Sequence, residues 1–301
     1  MEHLFTILPL LIMVIIGFLA QRFYQVQSKS LASLAIYILS PAVMLLGVLD
    51  EHLNLSILYM PLIVLLIGII ISAVFYPLAG LIWSDARKQM VGFSAGTANT
   101  SYFGIPVCAA ILGVESVPIA IMFALGQTLF EATVGYYLAA RGQADAKQSI
   151  LKLIKLPMLY ALLLALILRS QYWELPAVAA DSVELLASAF TPIGMMLIGV
   201  GLAESKLLVR PDIKFMSMVL FIKFAVWLGM VLGFVWLDQN IFHLFNPLAH
   251  QVMLIQAVAP VAVSTVAYAA EFKLFPEKMS MTVVVSLAIV IPILSLVLAY
   301  F

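Results

Sequence analysis

Polar and helix-breaking residues are concentrated in one otherwise apolar segment near residues 89–112. The segment carries Gly92, Ser94, Gly96, Thr97, Asn99, Thr100, Ser101, Gly104 and Pro106. A proline lacks an amide donor and clashes with the preceding helical turn, so Gly104-Ile105-Pro106 predicts an interrupted helix. A second segment, near residues 248–271, contains Gln256, Pro260, Ser264 and Thr265 and predicts a break near Pro260.

Two broken polar helices could together bind an anion. The amino-terminal end of a half-helix presents partial positive charge to an anionic ligand, and Asn99 could add a directed hydrogen bond. Small and hydroxyl residues also serve close helix packing, and that alternative stays open for either helix alone. The pairing of the two segments favours a binding site that includes Asn99, Thr100, Ser101, Gly104, Pro106, Pro260, Ser264 and Thr265.

Two ionisable residues, Glu131 and Lys223, lie deep inside apolar segments. Burial of either charge alone is costly, so each requires a partner or water. Their similar depth predicts a mutual ion pair, with Gln127 one turn before Glu131 on the same helix face. We interpret these three residues as candidates for coupling. A structural pair, or a Lys223 side chain that snorkels towards the basic side, is the alternative.

The composition indicates what positions these residues. Apolar residues make up 64% of the 301 positions and charged residues only 10%, against roughly 45–50% and about 25% in soluble domains. A spanning helix needs about 20 mainly apolar residues. Ten such intervals predict an all-α integral membrane protein: 4–21, 31–49, 56–83, 89–112, 117–140, 153–169, 182–203, 213–237, 248–271 and 279–300.

The basic residues predict the orientation of these spans. Alternate loops hold Arg22, Lys29, Arg87, Lys88, Arg141, Lys147, Lys152, Lys155, Lys206, Arg210, Lys214, Lys273 and Lys278, most of the 15 basic residues. Cytoplasmic loops carry such an excess, so both termini are expected on the extracytoplasmic side of a cell inner membrane or plasma membrane. The net charge of zero gives no indication of nucleic-acid binding.

The chain divides into two halves that are predicted to repeat in opposite orientation. Residues 1–141 hold five spans, residues 142–152 form a basic linker, and residues 153–301 hold five more. Leu34, Ser40-Pro41, Met44 and Leu46 recur 151 positions later as Leu185, Thr191-Pro192, Met195 and Leu197. Inverted repeats place substrate near the midplane, where helices are discontinuous.

The segment Asn99-Thr100-Ser101-Tyr102-Phe103-Gly104-Ile105-Pro106 resembles the auxin efflux carrier family. The resemblance continues through Pro41, Gly199 to Leu202, Ala259-Pro260, Tyr268 to Phe272, Pro276 and Pro292, and covers essentially the whole chain. It implies a fold related to bile-acid sodium symporters and sodium/proton antiporters, with crossed broken helices 4 and 9. The long central loop of plant members is absent, so the chain looks like a compact bacterial member.

The resemblance also implies a scaffold of helices 1, 2, 6 and 7, often in a homodimer, and a transport domain of helices 3–5 and 8–10. The implied substrates are small carboxylates such as malate, malonate or auxin-like acids, with a proton or sodium as candidate coupling ion. The acidic residues that some plant members carry in helix 3 have no counterpart, because residues 56–83 contain no charge.

Other functions fit the sequence less well than an organic-anion carrier does. A sodium-coupled symporter of the bile-acid type is the nearest alternative, whereas a sodium/proton antiporter would need more acidic residues at mid-depth. The sequence has no HExxH motif, no paired catalytic aspartates and no GxxxxGK[ST] motif, which disfavours an enzyme or an ATP-driven pump. A structural or receptor-like protein explains the broken helices poorly. We expect no cofactor and no metal site.

Overall fold

The computed structural model describes residues 2–49, 55–140, 157–204 and 211–298, and this part of the chain is helical without strands. Its α-helices are α1 Glu2–Tyr24, α2 Ser28–Leu34, α3 Ser40–Leu49, α4 Met60–Ile82, α5 Arg87–Ala95, α6 Ile105–Leu112, α7 Val117–Phe130, α8 Tyr136–Ala140, α9 Pro157–Ser170, α10 Ala177–Glu204, α11 Ile213–Phe221, α12 Trp227–Leu237, α13 Pro247–Ala257, α14 Ser264–Glu271 and α15 Pro276–Leu298. The predicted linker 142–152 lies outside the described residues.

Short turns of other helix types join several of these helices. The π-helical turns are Ala35–Leu39, Thr100–Gly104, Glu131–Gly135, Ile222–Val226 and Asp238–Phe242, and the 3-10 turns are Leu55–Tyr59 and Val114–Ser116. A π turn inserts one residue into the regular backbone ladder, and such turns occur frequently at functional sites. Three of the five contain residues singled out in the sequence: Thr100, Glu131 and Lys223.

The helices suit a bilayer by length and composition. In the described part of the chain, five helical segments are long and apolar enough to cross a bilayer: Ser56–Ile82, Val117–Ala139, Ala177–Gly201, Ile213–Phe242 and Pro276–Leu298. Three shorter apolar helices are Ile12–Tyr24, Tyr37–Leu49 and Tyr160–Ser170. The predicted intervals 89–112 and 248–271 are each divided into two short helices, which is why neither counts as one long span. The all-helical membrane class is confirmed, while the ten-span inverted repeat stays a prediction.

The exposed surface of α4 indicates contact with lipid. One face buries Met60, Val64, Ile67 and Ile71, whereas the other exposes Leu62, Leu66, Ile70 and Val74. The exposed residues recur every four positions, so they form one continuous apolar stripe along the helix. An apolar stripe of this length is matched by hydrocarbon rather than by water.

The chain forms two compact units. The first comprises Met1–Leu55, Ser101–Ile121 and Ile154–Glu204. Within it, α1 and α10 pack so closely that a Cβ added at Gly17 or at Gly199 would overlap backbone atoms of the facing helix. The Arg169 guanidinium donates to the Val48 carbonyl across 3.1 Å, which joins α9 to α3.

The second unit comprises Ser56–Thr100, Met122–Leu153 and Ser205–Phe301. In it α4 packs against α5, where Ser72 Oγ donates to the Gly92 carbonyl at 2.8 Å. Both helix breaks described below, at residues 96–99 and 258–263, lie in this unit. The second unit therefore carries most of the candidate site.

Candidate functional site

The first helix break lies upstream of its predicted position. Helix α5 ends at Ala95, residues 96–99 are irregular, and the π turn from Thr100 leads into α6. Pro106 is the second residue of α6, a position at the start of an α-helix where proline is tolerated. The prediction that Gly104-Ile105-Pro106 interrupts the helix was therefore wrong: the interruption lies at residues 96–99, which include Asn99, and an α-helix begins at Ile105.

The second break lies where the sequence predicts it. Helix α13 ends at Ala257 and α14 begins at Ser264, with Pro260 in the irregular segment between them. The Val261 amide donates to Ser286 Oγ of α15 at 3.0 Å, and Thr265 Oγ1 donates to the Ala262 carbonyl at 2.6 Å. These two hydroxyl groups satisfy backbone atoms that the break releases, as an interior with little water requires.

The two breaks meet each other. The Asn99 amide donates to the Pro260 carbonyl at 2.8 Å. Asn99 is only 3% exposed, and Pro260 is buried. Residues 161 positions apart thus join the irregular segment of one polar helix to that of the other.

Amide side chains beside this junction have donors without acceptors. Thr100 Oγ1 donates to Gln127 Oε1 across 3.4 Å, which places Gln127 next to the first break. Asn99 Nδ2 and Gln127 Nε2 are buried and have no hydrogen-bond partner among the described residues. A buried donor without an acceptor costs about 1–3 kcal/mol, so these two nitrogens favour a ligand that supplies acceptor oxygens.

Glu131 contacts the second break. Its carboxylate accepts a hydrogen bond from Ser264 Oγ at 2.7 Å, and Ser264 is the first residue of α14. A negative charge at the first residue of a helix is favourable because the helix dipole and the free amide groups attract it. Glu131 therefore binds α14, the helix that follows the second break, through Ser264, the first residue of α14.

Lys223 is buried with 1% exposure, and its Nζ has no hydrogen-bond partner among the residues that the structure describes. The ammonium lies 5.3 Å from the centre of the Trp227 ring. The predicted ion pair with Glu131 is not formed in this structure: Glu131 Oε1 accepts from Ser264 Oγ, and Lys223 Nζ has no partner among the described residues. Snorkelling is wrong as well, since a snorkelling ammonium would be exposed to solvent.

The other predicted site residues belong to the first unit. Gly104 and Pro106 are buried, and Ser101 is half-buried. Tyr102, between them in the chain, stacks on Phe190 with ring centres 6.4 Å apart. Gly104 is the last residue of the π turn and Pro106 lies at the start of α6, so neither residue is in an irregular segment.

Sequence reasoning missed two side chains of the second unit. The Trp227 indole donates to the carbonyl of Ala95, the last residue of α5, at 2.6 Å. Thr97 Oγ1 is buried in the first break without a hydrogen-bond partner among the described residues. Thr97 was visible in the sequence as one of the polar residues of its segment. Trp227 carries no such signal, because an indole in an apolar span usually indicates packing alone.

Comparisons with known proteins agree with this architecture. A family model described as "Membrane transport protein" matches residues 3–298. An uncharacterized transporter of the archaeon Methanocaldococcus jannaschii is 27% identical over 214 residues, which cover 67% of this chain and 70% of that relative. The match to the family model thus extends over both helix breaks.

Proposed function

The chain belongs to the membrane transport protein family, which is auxin efflux carrier-like, and we propose that it is a secondary-active transporter of small organic anions. One observation carries the proposal. Two helix breaks meet through the Asn99–Pro260 hydrogen bond, beside buried amide donors of Asn99 and Gln127 that have no acceptor among the described residues. Discontinuous helices of this kind form the substrate sites of many secondary transporters.

The unsatisfied groups favour an anion over a neutral or cationic substrate. Asn99 Nδ2 and Gln127 Nε2 are both donors, and a carboxylate offers two oxygens with about four acceptor positions. Hydrogen bonds to an ionised acceptor are roughly twice as strong as those between neutral groups. Small carboxylates such as malate, malonate or auxin-like acids are therefore the proposed substrates.

The proposed transport mechanism is alternating access between two inverted five-span halves. Residues 1–141 and 153–301 would form the halves, with helices 1, 2, 6 and 7 as scaffold and helices 3–5 and 8–10 as transport domain. A homodimer would join two scaffolds. The excess of basic residues in alternate loops supports extracytoplasmic termini, in a bacterial inner membrane or a plasma membrane.

The test is binding of malate, malonate and indole-3-acetate to the purified protein, measured calorimetrically for the wild type and the Asn99→Ala variant. We expect saturable binding of at least one carboxylate to the wild type. The Asn99→Ala change removes a hydrogen bond to a charged group, so affinity should fall roughly 10- to 150-fold, equivalent to about 1.5–3 kcal/mol.

Asn240→Ala is the matched control. Asn240 is exposed, and its side chain donates to the Trp236 carbonyl on its own helix. This variant should bind like the wild type. Absence of binding by every carboxylate, or equal affinity of the Asn99→Ala variant, would overturn the anion assignment.

A sodium-coupled symporter of the bile-acid type is the second candidate, and Glu131 is the observation that favours it. This carboxylate lies at the second break, beside the Ser264 hydroxyl, and both groups present oxygen atoms. Hard cations take oxygen ligands, and discontinuous helices commonly provide them. Repeating the titrations in sodium-free buffer distinguishes the candidates, because only the symporter needs sodium for tight carboxylate binding.

A further inference from the structure

We propose that Lys223 is a substrate-binding residue whose ammonium pairs with the carboxylate of the transported anion. The inference rests on the proposed function and adds a charged group to the site around Asn99 and Gln127. It starts from two observations on the same side chain. Lys223 is 1% exposed, and its Nζ lacks a hydrogen-bond partner within the described part of the chain.

A buried ammonium without an anion is unfavourable. Transfer of an isolated charge into a protein interior is costly unless the charge is paired, and buried lysines are almost never unpaired. The Trp227 ring, 5.3 Å from Nζ, compensates part of this cost through a cation–π contact. That contact satisfies none of the three ammonium donors, so the environment of Lys223 favours an acceptor with negative charge.

A ring contact between two helices indicates the level of Lys223 relative to Gln127. Phe123 and Trp227 are in ring contact, with centres 6.5 Å apart, which aligns their two helices at that point. Gln127 lies one turn after Phe123, and Lys223 lies one turn before Trp227. Residues four apart share a helix face.

The helices that carry these residues are predicted to run in opposite directions, so both steps lead towards the same side of the membrane. Gln127 and Lys223 are therefore expected at one depth on facing sides.

Trp227 connects Lys223 to the first break as well. Its indole donates at 2.6 Å to the Ala95 carbonyl, where α5 ends. The π turn Ile222–Val226 contains Lys223 and precedes Trp227 directly. The same helical segment thus provides the Trp227 hydrogen bond to the end of α5 and, one turn away, the Lys223 ammonium.

Glu131 does not supply the counter-charge of Lys223 in this structure. It lies one turn beyond Gln127 along the same span, where its Oε1 accepts from Ser264, and Lys223 Nζ has no partner within the described part of the chain. A negative charge for Lys223 must then come from another source. A carboxylate held by the amides of Asn99 and Gln127 provides it, and the ion pair would contribute affinity and select charged over neutral substrates.

The experiment is a titration of malate, malonate and indole-3-acetate into the wild type and the Lys223→Met variant, with thermal unfolding of each protein in the absence and presence of each acid. Removal of one partner of a buried ion pair should weaken carboxylate binding at least about thirtyfold. The uncharged diamide malonamide should bind both proteins equally poorly. Lys223→Arg, which keeps the charge, should retain more affinity than Lys223→Met.

Lys214→Met is the matched control, because Lys214 is an exposed lysine near the start of the same predicted span. It should leave both affinity and thermal stability unchanged. Without ligand, Lys223→Met should unfold at the wild-type temperature or above, since it removes an unpaired buried charge.

Each outcome tests a separate point. If the wild type binds a carboxylate and Lys223→Met binds it equally well, the inference is wrong while the proposed function stands. A Lys223→Met protein that fails to fold, or unfolds well below the wild type without ligand, would assign Lys223 a structural role and overturn the inference. If no acid binds the wild type, the proposed function fails, and the inference fails with it.

Discussion

The hydrogen bond between Glu131 and Ser264 joins two parts of the second unit that are 133 positions apart. Ser264 is half-buried at the first residue of α14, and Glu131 is half-buried in a π turn. A hydrogen bond to an ionised group contributes about 1.5–3 kcal/mol when little water competes for it. This contact therefore fixes the position of the half-helix that follows the second break.

We predict that Ser264→Ala destabilises the protein by about 1–3 kcal/mol, because it leaves the Glu131 carboxylate without its donor. The Glu131→Gln change should cost less in the Ser264→Ala background than in the wild type, since it removes the uncompensated charge. Thermal unfolding of the two single variants and the double variant, compared as a double-mutant cycle, measures the coupling. Strictly additive effects would mean that the hydrogen bond contributes no stability.

Close packing of α1 against α10 depends on two glycines. A Cβ at Gly199 would overlap backbone atoms of Val14 and Phe18, and one at Gly17 would overlap those of Met196. Small residues allow helices in membranes to approach closely, where dispersion contacts between backbones replace a hydrophobic driving force. The first unit is held together at this crossing.

Gly199→Ala should lower the free energy of unfolding by about 1–3 kcal/mol or more, because backbone atoms cannot move aside as a flexible side chain can. Gly229→Ala is the matched control. A Cβ there meets no atom within 4 Å, and alanine favours a helix over glycine. The yield of monodisperse protein and its unfolding temperature should both fall for Gly199→Ala only. Equal behaviour of the two variants would contradict the predicted overlap.

An ionic cluster joins three separate parts of the second unit. The Asp212 carboxylate accepts from Arg87 Nη1 at 3.0 Å and from Lys278 Nζ at 2.7 Å, and Arg87 also pairs with Asp85 at 2.8 Å. These residues lie near the starts of α5, α11 and α15. The cluster therefore connects the helix before the first break to two others.

The cluster lowers the pKa of both carboxyl groups. For Asp85, the hydrogen bond from the Arg87 side chain is the main cause. Burial by itself would raise the pKa of Asp212, but hydrogen bonds from Lys278, the Phe215 amide and Arg87 together outweigh it. A carboxyl whose folded pKa lies below its unfolded value stabilises the fold above the unfolded pKa, and this stability is lost as the pH falls further.

We expect the cluster to contribute constant stability from pH 7 to 5 and to lose that contribution below about pH 4, where unfolded aspartates protonate. Asp212→Asn should therefore unfold at a lower temperature than the wild type at pH 7, and the gap should narrow in acid. Unfolding temperatures from pH 3 to 7 check this. Parallel curves for the two proteins would show that the cluster contributes no acid-sensitive stability.

The class of the whole molecule, an all-helical membrane protein, follows from the sequence alone. The apolar excess and the repeated runs of about 20 residues require hydrocarbon as solvent, and this is a property of composition and length. Pro260 likewise indicates its break locally, since a proline inside a helix removes a backbone hydrogen bond and clashes with the preceding turn. The motif from Asn99 to Pro106, in ordered combination with Ala259-Pro260, Tyr268 to Phe272, Pro276 and Pro292, predicted the family. All of these signals are short-range, so no knowledge of packing was needed.

Tertiary structure decided the position of the first break and the contacts of the buried charged residues, because contacts between residues far apart in the chain depend on packing. Gly104-Ile105-Pro106 looked like an interruption, yet a proline in a first helical turn is compatible with a regular helix, and only the three-dimensional context separates the two cases. Similar depth predicted a Glu131–Lys223 pair, whereas the fold places Ser264 at Glu131 and the Trp227 ring at Lys223. The position of a residue along a span gives only the depth of its side chain in the membrane. Its contacts also depend on which way the helix face points and on which helices pack against it.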